Sequence, residues 1–205
     1  HNTDLVTQDS DNLHALMSRA PAAQQELIDL LHFIDQSSNT KTILPATKSY
    51  QRAAQKVQTK FNGDASQLTD IARGSVVAYD VKSLLSSYQQ LSQYTEIVQL
   101  KNRFAHPKVS GYRDLNVLVK LPVSQMVVEV QFHLNDIADI KSGPEHHVYE
   151  QIQQIESQAK ATSRRLNDIE QATIAKLRQD SHKQYHKAWL SYKRQSLYRS
   201  QRQVA

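Results

Sequence analysis

The stretch FAHPKVSGYRDLNVLVKLPVSQMVVEVQFHL, Phe104 to Leu134, decides the fold. Its first part carries the turn formers Pro107, Lys108, Ser110 and Gly111, and two runs with strand character follow. In the second run Val128, Val130, Phe132 and Leu134 alternate with Glu129, Gln131 and His133. Successive side chains of a strand point to opposite faces, so the apolar set lies on one side and the polar set on the other. Leu115, Val117, Val119 and Leu121 alternate likewise with Asn116 and Lys120, and Pro122 and Ser124 sit in the short connection of a hairpin. A carboxylate, an amide and an imidazole then stand in a row on one strand face. Such a row is either a solvated face or a site, and the period alone does not choose.

Working outward, 205 residues suit one domain with a real core and a helical extension. No run approaches the roughly 20 apolar residues of a membrane span. The formal charge of +5 suits an anionic partner such as nucleotide or RNA. The chain has no cysteine, which excludes disulfides, thiolate chemistry and Cys-based metal sites. It starts at His1, and with the missing cysteine this fits a processed, exported form.

Upstream, residues 1–12 are polar and are expected to be poorly ordered. Leu13, Leu16, Met17, Leu27, Leu30, Leu31 and Ile34 predict a helix from about residue 11 to 36, started anew or kinked at Pro21. Residues 37–42 read as a loop. After Pro45 the run ATKSYQRAAQKVQTKF predicts a helix with Lys48, Arg52 and Lys56 along one face. NGDAS ends it, LTDIARGSVVAY leads into a strand centred on Val76–Tyr79, Lys82–Tyr94 is helical, and Glu96–Phe104 is a strand. Helix, strand, helix, strand, hairpin describes an α+β domain with a mixed sheet flanked by helices.

Beyond Pro144 there is neither Gly nor Pro, and Ile152, Ile155, Ala159, Leu166 and Ile169 predict long helices packed through one stripe. From Ser181 to Ala205 there are six Lys/Arg, no acids, and Tyr185, Trp189, Tyr192 and Tyr198 interleaved. That mixture either binds single-stranded nucleic acid or packs its aromatics inward, and the helical spacing of the rings favours packing. The histidines make no convincing metal site, since the adjacent His146 and His147 diverge on a helix.

PK-x-x-GYRDLN followed by VVEVQFHL resembles the synthetase domain of the RelA/SpoT family, the pyrophosphokinases that make (p)ppGpp-type alarmones. The resemblance covers about Pro45 to Glu150. HHVYE (His146–Glu150), LTDIARGSVV and KNRF resemble a divergent branch that includes toxin and effector domains. It implies a nucleotidyltransferase-like core over residues 45–150, an N-terminal helical segment over 1–44 and a C-terminal helical extension over 151–205. No HD-type hydrolase pattern accompanies it, so alarmone hydrolysis is not expected.

Residue by residue, the resemblance gives Asp70 and Glu129 as carboxylates that bind Mg2+, with Glu129 either ligand or base and Gln131 beside it at the reaction centre. Lys48 and Lys56 match the lysines of the family's ATP loop, in which Ser49 also lies. Arg52 stands where the family has Ser and Ala46 where it has Arg, so Arg52 or Arg73 supplies the missing charge. Tyr112, after a Gly111 that allows positive φ, stacks on the acceptor base. Asn116 occupies the place of a common His, and Lys101, Arg103 and Lys108 contact acceptor phosphates. Arg113 and Asp114 can instead form an ion pair that orders the loop.

The implied reaction carries the β,γ-pyrophosphate of ATP to the 3′-hydroxyl of a purine nucleotide or an RNA 3′ end. That chemistry is cytoplasmic. Two alternatives stand beside it: a nucleotide- or RNA-binding module that has lost the activity, and an exported toxin or effector with the same chemistry.

Overall fold

The computed structural model describes residues 5–35 and 39–204. The chain forms two compact units. The first is His1–Asn102 with Leu115–His133, and the second is Arg103–Asp114 with Leu134–Ala205.

The first unit holds helices α1 (Leu13–Asp35), α2 (Tyr50–Lys60) and α3 (Val81–Tyr94). Its strands are β1 (Thr40–Ile43), β2 (Arg73–Ala78), β3 (Glu96–Asn102), β4 (Leu115–Lys120) and β5, which runs Val127–Leu134. They make one mixed sheet in the order β1-β2-β5-β4-β3, the α+β architecture expected. The hairpin β4–β5 is antiparallel, from Leu115↔Phe132 to Lys120↔Val127. Its apolar set closes the core: Val117, Val119, Val128, Val130 and Phe132 are fully buried. On the helical side Leu16, Leu27, Leu31 and Ile34 of α1 are buried, and α1 and α3 pack on β1 and β2. Gly74 sets how closely: a Cβ there would meet the Leu31 side chain at 2.7 Å.

Four expectations are corrected. Thr40–Thr42 are not loop but, with Ile43, form the edge strand β1, antiparallel to β2. Four residues are too few for a period to show, and Gln36, Ser37 and Ser38 lie outside the described residues. Of the two readings at Pro21 the new start is excluded, since the residue lies inside one helix, Leu13–Asp35. Residues 1–4 lie outside the described residues, but 5–12 are not loose. Gln8 is 5% exposed, donates through Nε2 to Leu68 O (3.1 Å) and Val127 O (2.8 Å), and accepts from Val127 N (2.9 Å). A buried amide with all these partners costs little to bury and ties the segment down. His133 is 7% exposed, so the imidazole does not share the more open environment of Glu129 and Gln131.

The second unit holds α4 (Asn135–Ser142), α5 (Pro144–Ala161), α6 (Asp168–Val204) and the loop Arg103–Asp114. The short α4 has no counterpart in the sequence reading. Pro144 starts α5, where its missing N–H costs nothing. Between α5 and α6, Asn167 Oδ1 accepts from Glu170 N (2.8 Å) and Glu170 Oε1 accepts from Asn167 N (3.1 Å), a reciprocal cap. That break removes Ile169, 79% exposed, from the expected stripe. Ala159, Ile174, Tyr185 and Tyr192 are buried instead, so the aromatics of α6 pack, as their spacing predicts. The side chain of Tyr198 lies outside the described residues.

Candidate active site

In the first unit the loop before β2 presents Asp70, 8% exposed. Its Oδ2 accepts from Lys48 Nζ and Lys56 Nζ, each at 2.9 Å. Its Oδ1 is buried with no hydrogen-bond partner. Burial works to raise the Asp70 carboxyl, but the hydrogen bonds and charges of Lys56 and Lys48 outweigh it, and the group is held below its ordinary value. It is therefore ionised at neutral pH.

Lys48 is not on the helix face the sequence suggests. It lies in the approach to α2, where its backbone N–H donates to Ile71 O (3.0 Å). Ser49 is the N-cap, accepting from Arg52 N at 3.3 Å, so its hydroxyl is committed to the helix start. Lys48 and Lys56 still meet, because Asp70 draws both in. Arg52 stays exposed. Arg73, first residue of β2, has a buried Nε with no partner.

Glu129 on β5 donates its backbone N–H to Ala72 O (3.2 Å), two residues along from Asp70. Its side chain is half-buried and accepts from the Gln131 amide. The register puts Gln131 opposite Asn116 on β4, and Asn116 opposite Lys101 on β3. Directly paired residues share a face. Lys101, Asn116, Gln131 and Glu129 therefore form one polar strip across three strands.

One residue here escaped the sequence reading. Gln24 of α1, 7% exposed, accepts from Arg73 N (3.0 Å) and donates to Arg73 O and Pro45 O, both 3.0 Å. It joins the start of β2 to the segment leading to Lys48. A lone Gln among polar helix residues gave no signal.

In the second unit Tyr112 follows Gly111, whose φ of +89° is the positive value expected. A Cβ on Gly111 would sit 3.1 Å from His182. Tyr112 is not an open stacking platform here, being 2% exposed. Its hydroxyl donates to Asp114 Oδ2 (3.0 Å), its ring meets Tyr185 edge-on at 5.8 Å, and Lys141 and Lys108 hold their ammoniums 4.6 and 5.5 Å from its centroid. Burial first, then the Asp114 charge, pushes its hydroxyl far above the ordinary tyrosine value. Asp114 pairs with Arg103 (3.0 Å), not with the adjacent Arg113. Arg113 instead donates to Phe104 O and lies over Trp189 at 5.1 Å. Arg103 gives one guanidinium nitrogen, Nη1, to that carboxylate. His146 faces Glu150 at 2.9 Å. Among the described residues no group of three or more His, Cys, Asp or Glu converges.

No family model and no curated protein matches the chain. Solved structures do. Small alarmone synthetase 2 from Bacillus subtilis superposes with a TM-score of 0.68 at 17% identity, covering 92% of this chain and 98% of that one. Small alarmone synthetase 1 from the same organism, bound to its product pppGpp, gives 0.63 at 16%, covering 91% and 93%. The Type VI effector Tas1, solved with its immunity protein, gives 0.60 at 18%, covering 88% and 100%. The chain has the alarmone-synthetase fold. These neighbours are RelA/SpoT-like synthetase domains, and the likeness extends over the mixed sheet and the long C-terminal helices.

A divalent cation fits the Asp70 site of this chain on one observation. Asp70 offers an ionised, buried oxygen that no protein donor uses. A hard cation takes carboxylate oxygens and fills its other positions with water and substrate phosphate.

Proposed function

We propose that this protein is an ATP-dependent pyrophosphokinase that transfers the β,γ-pyrophosphate of ATP to the 3′-hydroxyl of a purine nucleotide. The observation that carries the reading is the Asp70 carboxylate, with two lysines on one oxygen and nothing on the other. Asp70 and Glu129 would hold Mg2+, which when bound neutralises charge on the phosphates. Each lysine ammonium has three donors, so Lys48 and Lys56 keep donors for phosphate oxygens beyond the one given to Asp70. Arg52 and Arg73 add charge, and the partnerless Arg73 Nε suits an anion. Glu129 takes the proton of the acceptor hydroxyl as its oxygen bonds to the β-phosphorus and AMP leaves. Gln131 positions that carboxylate through its amide. Tyr112, buried as it stands, would have to be uncovered to meet the base. pppGpp, the product named with one structural neighbour, is what such a transfer makes from GTP.

Transfer of label from γ-labelled ATP tests this, with guanine nucleotides, adenine nucleotides and bulk tRNA as separate acceptors. Glu129→Gln should lower the rate by about 10²–10⁴ fold, the range for loss of a positioned base. Separately, millimolar Mg2+ should raise the Tm of the wild type and leave Asp70→Asn unmoved. Nucleotide binding without any transfer would leave a binding module, and transfer that survives both substitutions would sink the assignment.

A further inference from the structure

Residues 44–49 join β1 to α2 without regular structure, and they carry Lys48. A lysine reaches its partners on a flexible four-carbon stem, so the place of its ammonium depends on how its backbone is held. That backbone is held at Lys48 and at Pro45. The Lys48 N–H donates to Ile71 O at 3.0 Å. Three residues earlier stands Pro45, which has no N–H and is gripped by its carbonyl, the acceptor of a 3.0 Å bond from Gln24 Nε2.

The other bonds of Gln24 fall on the strand that follows Asp70. Its Oε1 accepts from Arg73 N and its Nε2 donates to Arg73 O, each at 3.0 Å. Asp70 lies three residues before Arg73, as Pro45 lies three before Lys48. One buried amide, 7% exposed, therefore joins the lysine segment and the carboxylate segment to the same turn of α1. Inside the protein, where water does not compete, such bonds hold their partners firmly. The ion pair between Lys48 Nζ and Asp70 Oδ2, 2.9 Å long, is braced from both sides by a residue that bonds to neither group. Lys56 reaches the same oxygen by another route, from α2, which is anchored by the buried Ala53 and Val57.

We propose that Gln24 is a positioning residue: through the Pro45 carbonyl it holds the Lys48 ammonium at the Asp70 carboxylate, and so sets how tightly the site takes ATP. This rests on the reading of Lys48 as a lysine for the ATP phosphates. A displacement of about 1 Å in such a group is enough to cost up to about 10² fold. A glutamine that only satisfied the start of β2 would cost stability when removed and would act no more on Lys48 than on Lys56.

The test is a double-mutant cycle on the full chain, read by calorimetric binding of α,β-methylene ATP with Mg2+, a nucleotide that cannot release AMP. Gln24→Met, of similar length but without the amide, should weaken binding about tenfold in the wild-type background. It should have no further effect beside Lys48→Met, because the residue it acts through is gone, and its full effect beside Lys56→Met. An equal loss in all three backgrounds overturns the inference and leaves Lys48 in place. A second reading needs no nucleotide. The difference in urea midpoint between wild type and Asp70→Asn at pH 7 should fall by about half beside Gln24→Met, since one of two ammoniums no longer meets the carboxylate. An undiminished difference overturns the inference whatever the nucleotide does. A diminished difference in a protein that binds no nucleotide overturns the ATP reading and the inference drawn on it, leaving only the hold of Gln24 on Lys48. Gln24→Glu keeps the acceptor for Arg73 N–H, loses both donated bonds, and should repeat both results. If neither variant keeps the circular dichroism of wild type, Gln24 belongs to the core alone and the inference falls.

Discussion

Asp70 is a residue whose surroundings oppose each other. Burial penalises its charge, and two ammoniums at 2.9 Å restore it. A carboxyl whose folded value lies below its unfolded one, about 3.9, stabilises the fold above that pH and loses the contribution as pH falls through the lower, folded value. Urea denaturation of wild type and Asp70→Asn should therefore differ by a constant amount from pH 8 to 5, and the gap should close below about pH 4. A gap that persists undiminished to pH 3 would mean the lysines do not hold the charge. The pair of lysines was legible in the sequence because it falls in a motif. The way they meet was not: Lys48 reaches Asp70 from a loop, and a helical spacing rule placed it on a face it does not occupy. Gln8 and Gln24 were invisible for a related reason. Their amides satisfy backbone groups from 21 to 119 positions away, and no local pattern encodes such partners.

At the scale of elements, α1 lies close on β2 because Gly74 has no side chain. Strand propensity alone says that Val at this position should stabilise. The contact at 2.7 Å says the opposite. Gly74→Ala should cost about 1 kcal/mol, the strain of overpacking being partly offset by the entropy gained over Gly, and Gly74→Val about 3 kcal/mol. Both losses should shrink in a Leu31→Ala background, as the side chains share the contact. Urea midpoints followed by circular dichroism measure this, and a Val variant as stable as wild type would refute it. The hairpin, α3 and the two long C-terminal helices were legible because each is long enough to show its period. β1 and α4 were not, since four and eight residues carry too few turns of any pattern. The break that exposes Ile169 is fixed by the cap between Asn167 and Glu170, which outranks the apolar stripe continuing across it.

At the scale of the molecule, the two units carry cores of different kinds. The first is aliphatic and extensive, spread over a sheet and three helices. The second rests on Tyr112, Tyr185 and Tyr192, with Leu134, Ile137, Ala159 and Ile174, and among the described side chains of α6 none after Tyr192 is buried. Less apolar area removed from water means less stability, so the second unit should unfold at lower denaturant. Trp189 is the chain's single tryptophan and lies in that unit against Phe104, which gives it a private reporter. Its fluorescence transition should precede the later part of the circular-dichroism transition rather than coincide with it. Tyr185 sharpens the test, because its hydroxyl is buried with no partner. Removing an unpaired buried hydroxyl relieves a desolvation penalty, so Tyr185→Phe should raise the fluorescence midpoint by the equivalent of about 1 kcal/mol. Tyr185→Ala empties a packed site and should lower it by about 3–5 kcal/mol, the range for deleting a buried ring. Neither variant should move the later transition. Coincident transitions that shift together in both variants would show that the chain unfolds as one cooperative body, whatever the separation of its cores.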